Sequence, residues 1–505
     1  MGGRIVGKGA RGGGEGGSSR ARITRGIGMG FNGSSIKLTP SPAIRARSSS
    51  SNSNISSSSS SSSSSARTLG SSASNYCSNG SFVRVRSAST DCATGTSIKP
   101  LSTNERGVIV QRQDVFTGDP ANNVSEHIFE RLNVNNHRRP NHPLCILKEA
   151  IYDYFRSKKR ETGSIAVPTE FTMKDDFAPL VAISANFDEI LIPADHVSRS
   201  PNDTYYVDSH TCLRCHTSAH QAHMLRDGYS AFLVTGDVYR RDSIDATHYP
   251  VFHQMEGVRV FEPKDWENFQ KQTDADDEMD IGTAFCFSEL KIELEGLARH
   301  LFGDVSMRWV DAYFPFTDPS AELEIYFNDE WMEVLGCGVT QQSILDSNGR
   351  AGAKAWAFGL GLERLAMVLF DIPDIRLFWS EDERFTSQFK EGNMKTKFTP
   401  YSKYPPVFKD MSFWINSSSG EEGSSTSAGQ FTENNLCSLV RDVAGDLAEE
   451  VKLIDKFTHP KTGRDSECYR ITYRSMERSL TNEEIDQMQE VVRREAVAKL
   501  GIELR

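Results

Sequence analysis

The chain has 505 residues, 38% of them hydrophobic and 25% charged, with a formal net charge of -11 at pH 7. That length holds two or three domains with enough apolar content for real cores, and no run of about 18 apolar residues offers a helix to cross a membrane, so no membrane partner is expected. A net acidic chain has no overall attraction for nucleic acid, so any RNA surface must be local; nine cysteines without a paired framework fit a reducing compartment.

The first stretch, residues 1–95, differs from the rest. Up to Thr90 it holds twelve Arg or Lys against one acid, Glu15, together with Gly-rich segments and an unbroken serine run from Ser56 to Ser65. Such a segment cannot bury enough apolar surface to fold. Its Arg- and Ser-rich, acid-poor character predicts an organellar transit peptide, with a tail of no targeting role as the alternative. The mitochondrial matrix and the plastid stroma both remain open. Residues 96–139 are read as an N-terminal extension.

From residue 140 the pattern becomes that of a folded core. Pro143 suits a first helical turn, and Leu144, Leu147, Ala150, Ile151, Tyr154 and Phe155 recur at helical spacing. Tyr205–Val207 reads as a short strand. Cys212, Cys215 and His216 form the Cys-x-x-Cys-His pattern of haem attachment, and with His220 and His223 could be offered as a zinc site. No second Cys-x-x-Cys follows at the usual distance, so neither haem nor zinc is expected and the cysteines are read as structural. Leu213–Gln221 opens a helix toward Leu225, and a helix N-terminus presents free N–H groups to an anion.

The organising stretch runs from Tyr239 to Gly257. An apolar run, Ala231–Val234, leads to Arg240; Ser243–Pro250 turns the chain; Val251–Phe261 is extended again. Alternation along a strand puts Phe252, Gln254 and Glu256 on one face and Val251, His253 and Met255 on the other. Arg240 and Asp242 share a face opposite that row. A purine can stack on Phe252, a phosphate can take a bidentate bond from Arg240, and an ammonium can be held by Gln254 and Glu256. This is equipment for bringing an amino acid up to ATP.

Beyond it, the acids of Asp274–Glu278 read as a solvated cap to a packing helix through Phe287, Leu290, Ile292, Leu294, Leu297 and Leu301. Met307–Phe314 and Ala321–Phe327 read as strands, with Phe314 and Phe316 flanking Pro315. Trp331–Val334 enters Leu335–Thr340, read as a glycine-punctuated turn. Ala357–Arg364, with glycines at 359 and 361, precedes an apolar helix at Leu365–Phe370; it lacks the third glycine and the lysine of nucleotide loops. Residues 390–406 form a polar linker. In 407–505, a strand-like run from Phe408 to Ile415 precedes Leu436–Leu453, Tyr469–Tyr473 and Asn482–Leu500, read as helix, strand and helix. Ser417–Gly429 interrupts this as a Ser/Gly-rich loop.

The order of residues in Tyr239–Gly257, and Gly-Leu-Glu-Arg from Gly361 to Arg364, resembles the second and third signature motifs of class II aminoacyl-tRNA synthetases, in the single-chain, mitochondrial-type phenylalanyl form. The likeness covers roughly Pro140 to the C-terminus. It implies an α+β fold: an antiparallel-sheet catalytic domain with flanking helices over 140–389, and a ferredoxin-like anticodon-binding domain over 407–505. The expected activity is formation of phenylalanyl-adenylate from ATP and phenylalanine, then transfer to organellar tRNA(Phe), by a monomer using magnesium. The resemblance assigns ATP to Arg240, Asp242, Thr247, His248, Tyr249, Phe252, Glu333, Phe358 and Arg364, with Arg240, His248 and Arg364 stabilising charge and Glu333 as a magnesium ligand. It assigns phenylalanine to His216, Ser218, Ala219, His220, Gln221, Gln254, Met255, Glu256, Phe314, Phe316 and Ala357. Phosphate contacts to tRNA fall to Lys452, Lys456, Lys461, Arg464, Arg470 and Arg474, with Tyr469 and Tyr473 available for base stacking. The competing readings are a class II ligase for another amino acid and a non-catalytic RNA-binding relative of the same fold.

Overall fold

The hairpin at Ala231–Phe261 lies inside a seven-stranded sheet. The protein is described by a computed structural model over residues 102–104, 107–156, 170–269, 279–401, 404–415 and 431–505. The leader at 1–95, the Asp274–Glu278 cluster and the Ser417–Gly429 insertion lie outside the described residues.

The sheet comprises β1 (Thr172–Lys174), β2 (Ala231–Tyr239), β3 (Val251–Phe261), β4 (Met307–Phe314), β5 (Thr317–Phe327), β6 (Glu330–Thr340) and β7 (Lys354–Gly361). Their spatial order is β1-β2-β3-β7-β6-β5-β4, antiparallel throughout except that β1 runs parallel to β2. In β5 the period of two is plain: Ala321, Leu323 and Ile325 are buried while Glu322, Glu324 and Tyr326 reach toward solvent. β2 and β3 are buried along their whole length because both faces are covered.

Helix α1 (Pro143–Arg156) covers one face through Leu144, Leu147, Ile151 and Phe155, as its spacing predicts. Helices α2 (Ile281–Phe302) and α3 (Leu362–Phe370) complete that layer, against Met255, Leu323, Trp356 and Phe358. The opposite face packs Phe232, Val234, Val258, Phe314, Phe316 and Ala357 into a second apolar cluster, and the site opens there.

Three local expectations are corrected. Leu335–Thr340 is not a turn but the second half of β6. Gly336 is needed there because a Cβ would come within 2.8 Å of the Phe314 ring. Tyr205–Val207 makes only an isolated bridge, Tyr206 to Cys212. The predicted helix Leu436–Leu453 is a helix followed by a strand. α4 (Glu433–Ala444) stops at Gly445, whose φ of 55° other residues resist, and the chain returns as β9 (Ala448–Thr458).

The C-terminal sheet consists of β8 (Val407–Ile415), β9, β10 (Asp465–Tyr473) and β11 (Ile502–Leu504), ordered β9-β10-β8-β11 and antiparallel. α4 and α5 (Asn482–Leu500) lie on one face. Hydrogen bonds join this part to the catalytic sheet's loops: Arg441 donates to the carbonyls of Asp242 and Ser243 at 2.7 Å, and Tyr249 donates to Asp446 at 2.7 Å.

Candidate active site

The row on β3 is as the alternation requires, with Phe252, Gln254 and Glu256 7%, 2% and 2% exposed. Glu256 borders a narrow cavity with Ser218, Gln221, Phe314, Phe316, Thr317, Gly336, Cys337 and Ala357. One end of this cavity is apolar and the other polar. At the polar end the Oε1 of Gln221 and the Oε2 of Glu256 have no hydrogen-bond partner among the described residues, and the Oε1 of Gln254, two residues along β3 from Glu256, is open as well. Buried acceptors left open in this way mark a place where a donor binds. Burial pushes the Glu256 carboxyl up to about 8, against a smaller downward pull from the Ser218 hydroxyl.

At the apolar end, the turn at Pro315 between β4 and β5 puts Phe314 and Phe316 side by side. Their rings stack nearly parallel, centroids 5.8 Å apart and planes 10° apart. Gly336 makes room for the first ring, and Ala357 on β7 closes the wall. Thr317, Gly336 and Cys337 were missed from the sequence: Gly336 and Cys337 belong to a strand where a turn was read, and Thr317 opens β5, which was read as starting only at Ala321.

Beside the row, the Arg240 guanidinium carbon lies 5.2 Å from the centroid of Phe252, and its Nε donates to the Cys215 carbonyl at 2.8 Å. Burial draws its pKa down, but an arginine keeps its charge under such conditions. His216 caps the turn Thr217–His220; burial and then the Arg240 charge push its pKa down to about 3, so the ring is neutral. At the start of α3, Arg364 reaches Glu333 on β6, Nη1 to Oε2 3.4 Å. Burial pushes Glu333 up to about 7, and Arg364 only partly counters it.

Several assigned residues lie elsewhere. Met255 points to the opposite face of β3 and packs in the core. Ala219 packs with Val181 and Cys212. His220 stacks on Phe177 at 4.6 Å, with its Nε2 2.9 Å from Arg214. These three lie one residue off the positions that face the cavity, and short turns and strands allow no slack. Phe358 borders the cavity, but its ring stacks on Phe155, 5.8 Å away, behind the sheet, and offers no plate to a nucleotide. The hydroxyl of Tyr249 is taken by Arg131 at 2.9 Å and by Asp446. In the loop, His248 Nδ1 lies 2.7 Å from Asp245, which also accepts from Thr247 N at 2.7 Å, while Asp242 accepts from Ser243 N at 2.8 Å. Burial lowers the His248 pKa, but Asp245 and Asp242 together outweigh it and raise it, favouring the cation. Asp245 was also missed.

A magnesium ion fits this donor set only as a guest of the nucleotide. Among the described residues no group of three metal-binding side chains exists, whereas Glu333 Oε1 is buried and without a partner. One carboxylate plus phosphate oxygens is ordinary magnesium coordination.

On the C-terminal sheet the predicted phosphate contacts are engaged with acids. Arg470 pairs with Asp410 through two bonds of 2.8 Å, Arg464 with Glu503 at 2.6 Å, Lys456 with Glu467 at 2.9 Å, Arg474 with Glu449 at 3.1 Å and Lys452 with Glu450 at 4.0 Å; Lys461 is exposed. Tyr469 and Tyr473 are not available for stacking. Both are buried against α4 and α5, because strand alternation turns them inward with Ile471. The outer face carries Trp414 and Phe457 instead, 6.3 Å apart, with Arg464 5.4 Å from the Trp414 ring. A larger open groove, walled by Asn123, Arg199, Arg241, Asp442 and Lys499, contains none of the candidate residues.

Comparison with known proteins accords with this arrangement. The family model "tRNA synthetases class II core domain (F)" matches residues 146–270 and 277–389, and "Ferredoxin-fold anticodon binding domain" matches 402–505. A chloroplastic/mitochondrial phenylalanine–tRNA ligase of Arabidopsis thaliana is 60% identical over 400 residues, covering 79% of this chain and 86% of that protein. The mitochondrial phenylalanine–tRNA ligase of Mus musculus is 47% identical over 407 residues, covering 77% and 87%. That of Saccharomyces cerevisiae is 38% identical over 457 residues, covering 77% and 93%.

Proposed function

This chain belongs to the organellar phenylalanine–tRNA ligases, and from that premise we propose how its residues divide the work. It is a ligase that activates phenylalanine with ATP and charges tRNA in an organelle, the mitochondrion and the plastid both being open. The phenyl ring enters between Phe314, Phe316 and Ala357. The ammonium is held by Glu256, Gln254 and Gln221; their open acceptors, those of Glu256 and Gln221 in the lining of the cavity, are the observation that carries the assignment. The adenine stacks on Phe252.

The amino acid carboxylate attacks the α-phosphorus of ATP, giving phenylalanyl-adenylate and pyrophosphate; a ribose hydroxyl of the tRNA then takes the acyl group. No side-chain nucleophile is required, and the rate comes from positioning and charge stabilisation. Arg240, fixed by the Cys215 carbonyl beside Phe252, meets the α-phosphate as charge builds there. Arg364 exchanges Glu333 for the far phosphates, and His248, held by Asp245, adds a positive charge at the loop. Glu333 would hold a magnesium ion arriving with ATP, which would offset phosphate charge there. The enzyme acts as a monomer, and the outer face of the C-terminal sheet meets the tRNA.

Amino-acid-dependent exchange of pyrophosphate into ATP, run with all twenty amino acids, tests the reading. Exchange with phenylalanine is expected. Exchange driven by another amino acid favours the ligase alternative, and ATP binding without exchange favours the non-catalytic one.

A further inference from the structure

β3 and β7 pair residue by residue until Gln254 meets Gly361, where β7 ends and α3 begins. The next backbone N–H on β3, that of His253, therefore has no strand opposite it. It donates instead to the side chain of Glu363, N to Oε2 2.7 Å, while the His253 ring places Nδ1 2.6 Å from Oε1 of the same carboxylate. The pair is sealed: the side chains of His253 and Glu363 are 0% and 3% exposed. The ring is fixed from two sides, stacked on Trp379 at 5.9 Å and tilted against His137 at 5.1 Å.

The neighbours of this pair in sequence give it meaning. His253 sits between Phe252 and Gln254, and Glu363 directly precedes Arg364. Gly361, the N-cap of α3, contributes no side-chain cap, so the helix's first turn is tied to the sheet by Glu363 through short bonds to His253, and by Arg364 only through the longer 3.4 Å contact to Glu333. An anion in a first helical turn also suits the local dipole. A helix pinned at that point has a fixed rotational phase, and the following residue is turned out of the core toward Glu333 and the cavity face.

We propose that His253 and Glu363 are positioning residues for ATP: a buried clamp that holds Arg364, on the helix, in register with Phe252 and Gln254, on the strand. The inference rests on the assignment of Arg364 and Phe252 to the nucleotide. Neither clamp residue touches phenylalanine, so its loss acts on the nucleotide half of the site.

The test uses the full-length protein in pyrophosphate exchange, with KM for ATP, KM for phenylalanine, kcat and thermal unfolding measured on each variant. His253→Phe keeps the ring and removes the donor. His253→Asn keeps a donor at the place of Nδ1, and Glu363→Gln keeps an acceptor for the backbone N–H. For His253→Phe, kcat/KM for ATP is expected to fall about thirtyfold with KM for phenylalanine almost unchanged, as for a misplaced reacting group. His253→Asn is expected to recover most of that loss although it fills the site less well. Equal losses toward both substrates, or a lowered Tm with unchanged kinetics, would overturn the clamp. Should His253→Phe not fold, Glu363→Gln decides by the same split: a loss confined to ATP supports the clamp and none overturns it. Phenylalanine-dependent exchange by the unaltered protein separates failure of the clamp from failure of the functional reading.

Discussion

The two sheets use charge in opposite ways. Around the catalytic sheet, Gln221, Gln254, Glu256 and Glu333 are buried and each leaves an acceptor without a partner among the described residues. On the C-terminal sheet, Arg470, Arg464, Lys456 and Arg474 already have acids beside them, at or near the surface. Open buried groups cost folding free energy and gain only when a ligand arrives, whereas exposed ion pairs contribute about 0–1 kcal/mol each. The first arrangement suits a small ligand whose donors satisfy those acceptors. The second is a surface whose cations exchange one set of oxygens for another at little expense, which suits a large polyanion held by many weak contacts.

The comparison is broken most severely at Arg364. Arg364→Ala removes the guanidinium proposed to meet the nucleotide phosphates and is expected to reduce exchange by about a thousandfold while leaving Tm close to unchanged, since its contact to Glu333 is a weak one. Loss of the fold with the activity would instead make Arg364 part of the scaffold. Asp237→Asn should show the reverse. Arg214, 1% exposed, donates Nη2 to Asp237 Oδ1 at 2.5 Å, and breaking such a buried pair destabilises by about 3–5 kcal/mol, visible as a fall in Tm.

Those two residues also show how much was legible. The row on β3 could be read from alternation, the local period of the chain, whereas Arg364 was legible only through the likeness of Gly361–Arg364 to a family motif. The turn at Pro315 set two rings together in the sequence as in the fold. Asp237, Arg214, His253 and Glu363 carry no such signal: their partners are distant in sequence, and nothing local distinguishes a buried carboxylate from a solvated one. The same blindness explains Tyr469 and Tyr473. Strand residues could be recognised there, but which face met α4 and α5 depends on packing that composition does not encode.

A smaller effect sharpens the account of the pocket through pH. In the free protein Glu256 has a pKa near 8, so at pH 7 its proton must leave before an ammonium is held. KM for phenylalanine should fall as pH rises from 6 toward 8, by up to about tenfold per unit, and Glu256→Gln should flatten the curve at a high KM. Folding runs the other way. A carboxyl whose pKa is raised by folding contributes stability fully present below its ordinary value and lost as pH rises through about 8, so Glu256→Gln should raise Tm more at pH 8.5 than at pH 5. Ala357→Gly, at the wall of the same cavity, should admit para-substituted phenylalanines about tenfold better, read by exchange, since the pocket is apolar and rejects by size.

The smallest effect tests the other sheet. Arg470 is held to Asp410 by two bonds of 2.8 Å, both side chains are 44% exposed, and Asp410 lies below the usual carboxylate range because Arg470 bonds to it. Arg470→Ala should change Tm by the equivalent of no more than about 1 kcal/mol, and should not alter pyrophosphate exchange, which involves no tRNA. If this face meets phosphates, aminoacylation should weaken about two- to fivefold, and the dependence of its KM for tRNA on log salt should lose close to one unit of slope. Asp410→Asn is the informative partner. It frees the guanidinium without removing it, so KM for tRNA should fall where that of Arg470→Ala rises. A rise in both would mean that the pair holds the sheet edge in shape; no change in either would place the tRNA on another face, leaving Arg470 as an ordinary surface ion pair.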